Sequence, residues 1–139
     1  MSRIAIAGSV DFYNEEIFKQ KVDAILKNLT GLKEIVSGDD PGTNEMALGY
    51  SEAKNILFKS IPTLRDDIDG KPISEIGENE YGERYWINAG TIRNQQVVDY
   101  CSHLIAFLSK DDAVTRALIS LATKFELKIR TVMIDELLE

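Results

Sequence analysis

The sequence predicts an α/β fold in which a five-stranded parallel sheet carries helices on both faces. Three observations support this fold. Short apolar runs recur along the chain, amphipathic helical stretches separate them, and glycine or polar residues follow the runs. Such runs are typical of strands buried on both faces, and their alternation with helices implies crossover connections. The length of 139 residues leaves room for one domain. We therefore expect a single Rossmann-like domain over residues 1–139 with strand order 3-2-1-4-5.

The first two elements have the clearest local signals. Ile4-Ala5-Ile6-Ala7 is a continuous apolar run that ends at Gly8-Ser9, which predicts the first strand. Asn14 can cap a helix with an acidic first turn, whose apolar residues recur at helical spacing until Gly31.

The next unit repeats this arrangement. Residues 33–37 predict a second strand, which enters a tight polar loop at Gly38-Asp39-Asp40-Pro41-Gly42. A helix is expected from about Thr43 to Asn55. A third strand follows over 56–61 and is closed by Pro62.

Regular periodicity disappears between residues 63 and 88, so we predict a long loop there. Loops of this length are usually functional or mobile. Its aromatic residues Tyr81, Tyr85 and Trp86 either cover a pocket or anchor the loop onto the sheet. The nearby aspartates lack the spacing of a calcium loop, so we expect no metal site and no cofactor.

The remaining elements complete the series. A helix is expected over 89–102, a fourth strand over 103–108, and a helix capped by Asp111 or Asp112 that runs through Phe125. A fifth strand over 129–134 precedes a short acidic tail over 135–139.

Charge and cysteine content narrow the classes of partner. Sixteen basic and 23 acidic residues give a net charge of −7, so we expect no nucleic-acid partner held by phosphate neutralisation. The single cysteine, Cys101, favours a reducing compartment. The amino terminus lacks a signal-peptide pattern and no apolar run is long enough to cross a membrane, so we expect a cytoplasmic protein without a membrane partner.

The topology predicts where a ligand binds. In such sheets the crevice lies beyond the carboxyl ends of the strands, here between the first and fourth. That position selects Gly8-Ser9-Val10, Ser109-Lys110-Asp111 and the loop from Gly38 to Thr43. Glycines there let backbone N–H groups approach an anion.

Four segments, read together, resemble a known family: residues 4–12, 35–44, 89–94 and 99–107. With them the chain resembles the SLOG superfamily, and within it the small YspA-type proteins related to YpsA. Kinship with DprA and the Lonely Guy enzymes is more distant. The resemblance covers nearly the whole chain, and its most distinctive part is Ala89-Gly90-Thr91-Ile92-Arg93-Asn94, preceded by Tyr81-Gly82.

The resemblance implies a Rossmann-like sheet and a nucleotide-derived ligand. Some members of the family cleave N-glycosidic bonds, whereas others only sense or hold such molecules. The ligand-binding residues it implies are Gly8, Ser9, Gly38, Asp39, Gly42, Thr43, Asn44, Arg93 and Asn94. Arg93 and Asn94 would contact phosphate or ribose. A basic residue near a helix amino terminus opposes the helix dipole, so a bound anion would explain Arg93. The alternative is an ion pair between Arg93 and the acidic 66–69 segment.

Departures from the family pattern favour binding over turnover. Val10 stands where the family has an arginine, the second turn carries Asp39 and Asp40, and no glycine follows the fourth strand. The enzyme alternative is an N-glycoside hydrolase that uses Glu45, or an aspartate of the 39–40 turn, to activate water. A third alternative is an interaction protein with a vestigial pocket. For His103, which opens the fourth strand, we predict a structural role.

The predicted architecture also suggests self-association. A five-stranded domain with apolar helix faces and a long aromatic loop can complete its cover by pairing with a copy of itself. We therefore expect a homo-oligomer.

Overall fold

The computed structural model describes residues 2–137, apart from the side chains of 32, 33, 136 and 137. The last two residues of the expected acidic tail lie outside this range. Seven strands and four helices follow one another along the described chain. In order they are β1 (Ser2–Gly8), α1 (Glu15–Leu26), β2 (Leu32–Ser37), α2 (Thr43–Lys54), β3 (Leu57–Ser60), β4 (Ile76–Glu78), β5 (Arg84–Trp86), α3 (Ala89–Tyr100), β6 (His103–Leu108), α4 (Ala113–Lys124) and β7 (Lys128–Met133). Short 3₁₀ helices occupy Ile73–Glu75 and Ile134–Leu137.

Five of the strands form one parallel sheet in the order β3-β2-β1-β6-β7. Since β6 and β7 are the fourth and fifth strands expected from the sequence, the predicted fold class and strand order are confirmed. The order reverses direction between β1 and β6, where Gly8 pairs with Phe107. The carboxyl ends of these two strands therefore flank the switch point at which α/β sheets bind ligands.

Alternate residues of each strand divide the core into two layers. On one face of the sheet, Ile4 and Ile6 pack with Phe18 of α1 and Tyr50 of α2. On the other face, side chains of β1 and β6 pack against α3 and α4. The residues of that second layer are mostly small on β1 (Ala5, Ala7) and branched on the helices (Val97, Val98, Leu118). Both faces of the central strands are thus covered, which explains their continuous apolar sequence.

The 63–88 segment is less irregular than the sequence predicts. It contains a 3₁₀ turn and an antiparallel hairpin, in which Ile76 of β4 pairs with Trp86 of β5. The side chain of Asn79 builds the hairpin turn by accepting from the N–H groups of Tyr81 and Glu83. The prediction of a single long loop was wrong here because three-residue strands are too short to show a period of two.

Two helices also end earlier than expected. α1 stops at Leu26 rather than continuing to Gly31, which has φ of 71° and accepts a hydrogen bond from the N–H of Ser2. α3 ends at Tyr100 instead of residue 102. Among the described residues, no helix is both long and apolar enough to cross a membrane.

Candidate ligand-binding cleft

A cleft of about 290 Å³ opens at the carboxyl edge of the sheet, between the ends of β1 and β6. Of the residues expected at the site, Gly8, Ser9, Asn44 and Arg93 line it. The loops after β1, β2, β3 and β6 all contribute to its walls. The structure therefore brings together the segments that the topology selects.

The end of β1 packs too closely for a side chain at Gly8. A Cβ atom there would lie 2.1 Å from the carbonyl oxygen of Phe107 and 2.9 Å from Oγ1 of Thr43. The N–H of Ser9 donates to that same Phe107 oxygen at 2.8 Å, and Thr43 Oγ1 donates to the carbonyl of Ser9 at 2.9 Å. Gly8 thus lets β1, β6 and the start of α2 meet at the floor of the cleft.

The second loop rests directly on the first. Gly42 has φ of 76°, and a Cβ atom there would lie 2.5 Å from the carbonyl oxygen of Val10. The positive φ and the close approach of the Val10 carbonyl both favour glycine at this position. Gly42 therefore acts through packing between the two loops. Thr43 is fully buried beneath them.

Asn44 is fixed by the end of β2. Its side chain is 5% exposed, and its Oδ1 lies 2.6 Å from Oγ of Ser37, which also lies 2.6 Å from the carbonyl of Ile6. These contacts hold the amide of Asn44 beside Gly38, where it lines the cleft.

Arg93 projects from α3 into the cleft and is half-buried. Its Nε donates to the carbonyl of Ile61 at 3.2 Å, and its Nη1 lies 3.4 Å from Oδ1 of Asn94. Burial lowers the pKa of Arg93, and the nearby charges of Asp40 and Asp39 oppose that shift. In the described part of the chain, no carboxylate lies within 4.0 Å of this guanidinium. The alternative ion pair with the 66–69 segment is therefore not formed.

Gly38 gives the Arg93 side chain its room. A Cβ atom at Gly38 would lie 3.0 Å from Nη2 of Arg93 and 3.3 Å from Nδ2 of Asn44. Oδ1 of Asn94 is a hydrogen-bond acceptor for the guanidinium of Arg93. Asp39 is exposed and does not line the cleft.

A second guanidinium lines the cleft, from Arg65, which the sequence did not indicate. Arg65 Nη1 lies 3.2 Å from Oδ1 of Asp40. Its backbone carbonyl accepts the N–H of Trp86 at 2.7 Å, so the hairpin holds this residue in place. Arg65 follows the carboxyl end of β3, which places it at the binding edge of the sheet, but no local pattern in the sequence marks it.

The opposite wall is formed after β6 and is acidic. Asp112 caps α4: its Oδ1 accepts the N–H of Thr115 at 3.0 Å and its Oδ2 accepts the hydroxyl of Thr115 at 2.6 Å. Ser109 and Asp111 complete this wall. The cleft therefore combines two guanidinium groups, one of them paired with Asp40, with the carboxylates and hydroxyls of the wall after β6.

The aromatic residues of the 63–88 segment do not line the cleft. Tyr81 is 79% exposed, and the ring of Tyr85 packs near Gly77. Lys71 Nζ lies 4.3 Å from the centroid of the Trp86 ring. The contacts of Trp86 are with Arg65 and Lys71 of the same 63–88 segment, so these rings do not cover the cleft, and an anchoring contact with the sheet stays a prediction.

Two further candidate residues lie away from the cleft. Glu45 is exposed and lines a different cavity, between α1 and α2. His103 begins β6, at the end of the strand opposite the cleft, and its Nδ1 lies 2.7 Å from Oγ of Ser102. Burial lowers the pKa of His103, which favours the neutral ring. A structural role at the sheet's far edge fits this position.

Comparison of the sequence with protein-family models finds no matching family, and comparison with curated proteins finds no significant match.

Proposed function

We propose that the protein binds a nucleotide-derived small molecule in the cleft between β1 and β6, and holds it without cleaving it. The phosphate of the ligand contacts Arg93 and Arg65, and its sugar or base faces the wall after β6. We further propose that the chain is a cytoplasmic member of the SLOG superfamily, on the motifs quoted above.

The main support for the proposal is that Arg93 is half-buried and has no carboxylate within 4.0 Å among the described residues. A half-buried guanidinium loses part of its hydration, and this loss is normally offset by a carboxylate partner. Arg93 has only carbonyl and amide oxygens as hydrogen-bond partners among the described residues. A phosphate would supply the missing charge, and guanidinium groups suit phosphate because they donate two parallel hydrogen bonds.

The second arginine supports the same assignment. Arg65 is paired with Asp40, which leaves Arg93 as the cleft guanidinium that has no carboxylate within 4.0 Å among the described residues. The lining of the cleft holds two arginines, Arg65 and Arg93, and four aspartates, so the guanidinium groups form a cationic subsite within a cleft that is acidic as a whole. The carboxylates and hydroxyls across the cleft accept hydrogen bonds from ribose hydroxyls or amino groups.

The carboxylates named in the enzyme alternative, Glu45 and the 39–40 aspartates, are poorly placed for hydrolysis in the cleft, whereas Asp11 and Asp111 do line it. A general base must reach the water that it activates. Asp40 is engaged by Arg65, and both oxygens of Asp112 are occupied in the cap of α4. Glu45, the candidate catalytic residue, lies on another cavity.

A direct test incubates excess purified protein with nucleoside monophosphates and with dinucleotides. Titration calorimetry measures binding, and chromatography measures what is recovered. We expect saturable binding of at least one compound and its recovery uncleaved. Stoichiometric release of free base would instead establish the hydrolase alternative. Absence of binding across both sets would favour the vestigial pocket and an interaction role.

A further inference from the structure

A groove beside α1 forms a second cavity, separate from the ligand-binding cleft. Its volume is about 520 Å³, and it lies between the carboxyl end of α1 and the amino-terminal halves of β6 and β7. The buried side chains of Ile4 and Ile105 line it from the sheet, and Ile25 and Leu29 line it from the helix side. Cavities that bind small molecules typically have volumes of roughly 300–1,000 Å³ and mainly apolar walls. The groove has the size and the lining of such a cavity.

One wall of the groove is the edge strand β7. Val132 of β7 packs with the core layer of α1 and α2. Because side chains alternate along a strand, Lys128 and Arg130 lie on the same face of the sheet as Val132. Both are exposed, and α1 is the one helix of the described chain that lines the groove beside them.

The charged part of the lining is cationic. Lys128 and Arg130 line the groove, whereas no aspartate or glutamate does so among the described residues. No described carboxylate lies within 4.0 Å of either side chain. Since the whole chain has a net charge of −7, this excess of positive charge is local.

His103 lies on the same face and pairs with Lys128 across the two strands. Burial, and then the charge of Lys128, lower the pKa of His103, which favours the neutral ring. Its Nε2 atom is buried without a hydrogen-bond partner among the described residues. Lys128 and Arg130 are therefore the groups of the groove that can attract an anion, and the His103 ring lies beside them.

We propose that this groove binds a small organic anion with an apolar body. The apolar body packs against α1 and the floor of the groove, and the anionic group contacts Lys128 and Arg130. These two residues are about 6.6 Å apart along the strand, so one carboxylate can accept hydrogen bonds from both side chains. The proposal is independent of the ligand-binding cleft, which shares no lining residue with the groove.

Protection of the sheet edge is another role for these charges. β7 lies at the edge of the sheet, and charged side chains on edge strands prevent pairing with other chains. That role accounts for Lys128 and Arg130 but does not need the apolar cavity next to them. The two roles differ in whether the charges and the cavity act on the same ligand.

Titration calorimetry with octanoate and its uncharged analogue 1-octanol distinguishes these roles. We expect saturable binding of octanoate and weaker binding of 1-octanol. Lys128→Gln/Arg130→Gln should weaken octanoate binding at least about tenfold, as expected for the loss of charge-assisted hydrogen bonds, and should leave 1-octanol unaffected. The matched control, Lys21→Gln/Arg84→Gln, removes the same charge from exposed positions outside the groove and should bind octanoate like the unmodified protein.

Two further measurements locate the bound octanoate. Ala24 is exposed and lines the groove, so Ala24→Phe fills the cavity without displacing a core side chain and should abolish octanoate binding. Circular dichroism checks the folding of this variant. His103 is the only histidine of the chain, so its imidazole NMR signals are unambiguous, and they should shift when octanoate is added to the unmodified protein.

Several outcomes would overturn the proposal. They are the absence of octanoate binding, equal binding by Lys128→Gln/Arg130→Gln, and His103 signals that do not shift. Sedimentation velocity covers the remaining occupant, a second copy of the chain. A dimer that Ala24→Phe dissociates, together with no octanoate binding, would assign the groove to contact between copies.

Discussion

Gly8 and Gly90 are both glycines at the ends of secondary-structure elements, yet only one is sterically required. A Cβ atom at Gly8 would lie 2.1 Å from a backbone oxygen of β6, which cannot move without breaking the sheet. A Cβ atom at Gly90 would meet nothing within 4 Å. Gly8 therefore has a packing role that can be tested, whereas Gly90 has none. The sequence alone does not distinguish the two glycines.

The first prediction compares these two positions. Gly8→Ala should lower the free energy of unfolding by about 3 kcal/mol, the upper end of the usual cost of overpacking, because backbone atoms take up the strain. Gly90→Ala should leave that free energy unchanged or raise it by up to about 1 kcal/mol, since alanine favours the helix. Urea denaturation of both variants measures the difference. Equal effects at the two sites would contradict the packing described at the floor of the cleft.

The two cleft arginines show how far sequence reasoning reaches at this scale. Arg93 could be predicted, because a cation near a helix amino terminus is out of place without an anion. Arg65 could not be predicted from its neighbours, because it lies in a segment without periodicity. Its position depends on the N–H of Trp86, more than twenty residues later, and on an ion pair with Asp40. Contacts between distant residues of this kind leave no local pattern.

At the scale of elements, α4 depends on a single capping residue. The sequence predicted either Asp111 or Asp112 as the cap, and the structure selects Asp112, whose carboxylate accepts both the N–H and the hydroxyl of Thr115. Asp111 is exposed and its side chain has no such bond among the described residues. The two adjacent aspartates form a matched pair.

The second prediction uses this pair. Asp112→Ala should lower the free energy of unfolding by about 1 kcal/mol, the usual value of a helix cap. Asp111→Ala should change it by less than about 0.5 kcal/mol, as for most surface substitutions. Thermal or urea unfolding of the two variants gives the comparison. A larger loss for Asp111→Ala would show that the cap is assigned to the wrong residue.

The elements that the sequence predicted share one property. The strands β1 and β6 and the helices α1 and α4 have continuous or regularly spaced apolar residues, so burial leaves a pattern in the sequence. The hairpin of β4 and β5 has no such pattern, because its strands are short and its residues are mostly exposed. It is specified instead by the side-chain bonds of Asn79 and by contacts such as the 2.8 Å bond from the N–H of Ile87 to the carbonyl of Glu75.

At the scale of the whole molecule, three groups with raised pKa values make the folded state less stable at alkaline pH. Burial raises the pKa of the Cys101 thiol from its ordinary value of 9.0 to about 12. A hydrogen bond to Glu34 raises the pKa of Tyr100, and burial raises that of Tyr50. Each group holds its proton more tightly in the folded than in the unfolded chain. Stability is therefore fully present below pH 9 and decreases as pH rises above it.

The third prediction concerns Cys101, whose ordinary pKa of 9.0 is the lowest of the three groups. Between pH 9 and pH 10 the free energy of unfolding should fall, with Cys101 contributing up to about 1.4 kcal/mol per pH unit. Cys101→Ala removes this titration, so its stability should fall less steeply over the same interval. Urea unfolding across the interval measures both slopes. Identical slopes would mean that the thiol is not shielded in the folded protein.

In the function proposed above, Arg93 binds the anionic group of a nucleotide-derived ligand. Titration calorimetry compares the unmodified protein with Arg93→Ala, using the nucleoside monophosphate or dinucleotide that binds most tightly. Arg84→Ala, at an exposed position on β5 outside the cleft, serves as the control. We predict that Arg93→Ala weakens binding by about 1.5–3 kcal/mol, the value of a charge-assisted hydrogen bond, and that Arg84→Ala does not. An unchanged affinity in Arg93→Ala would contradict the account.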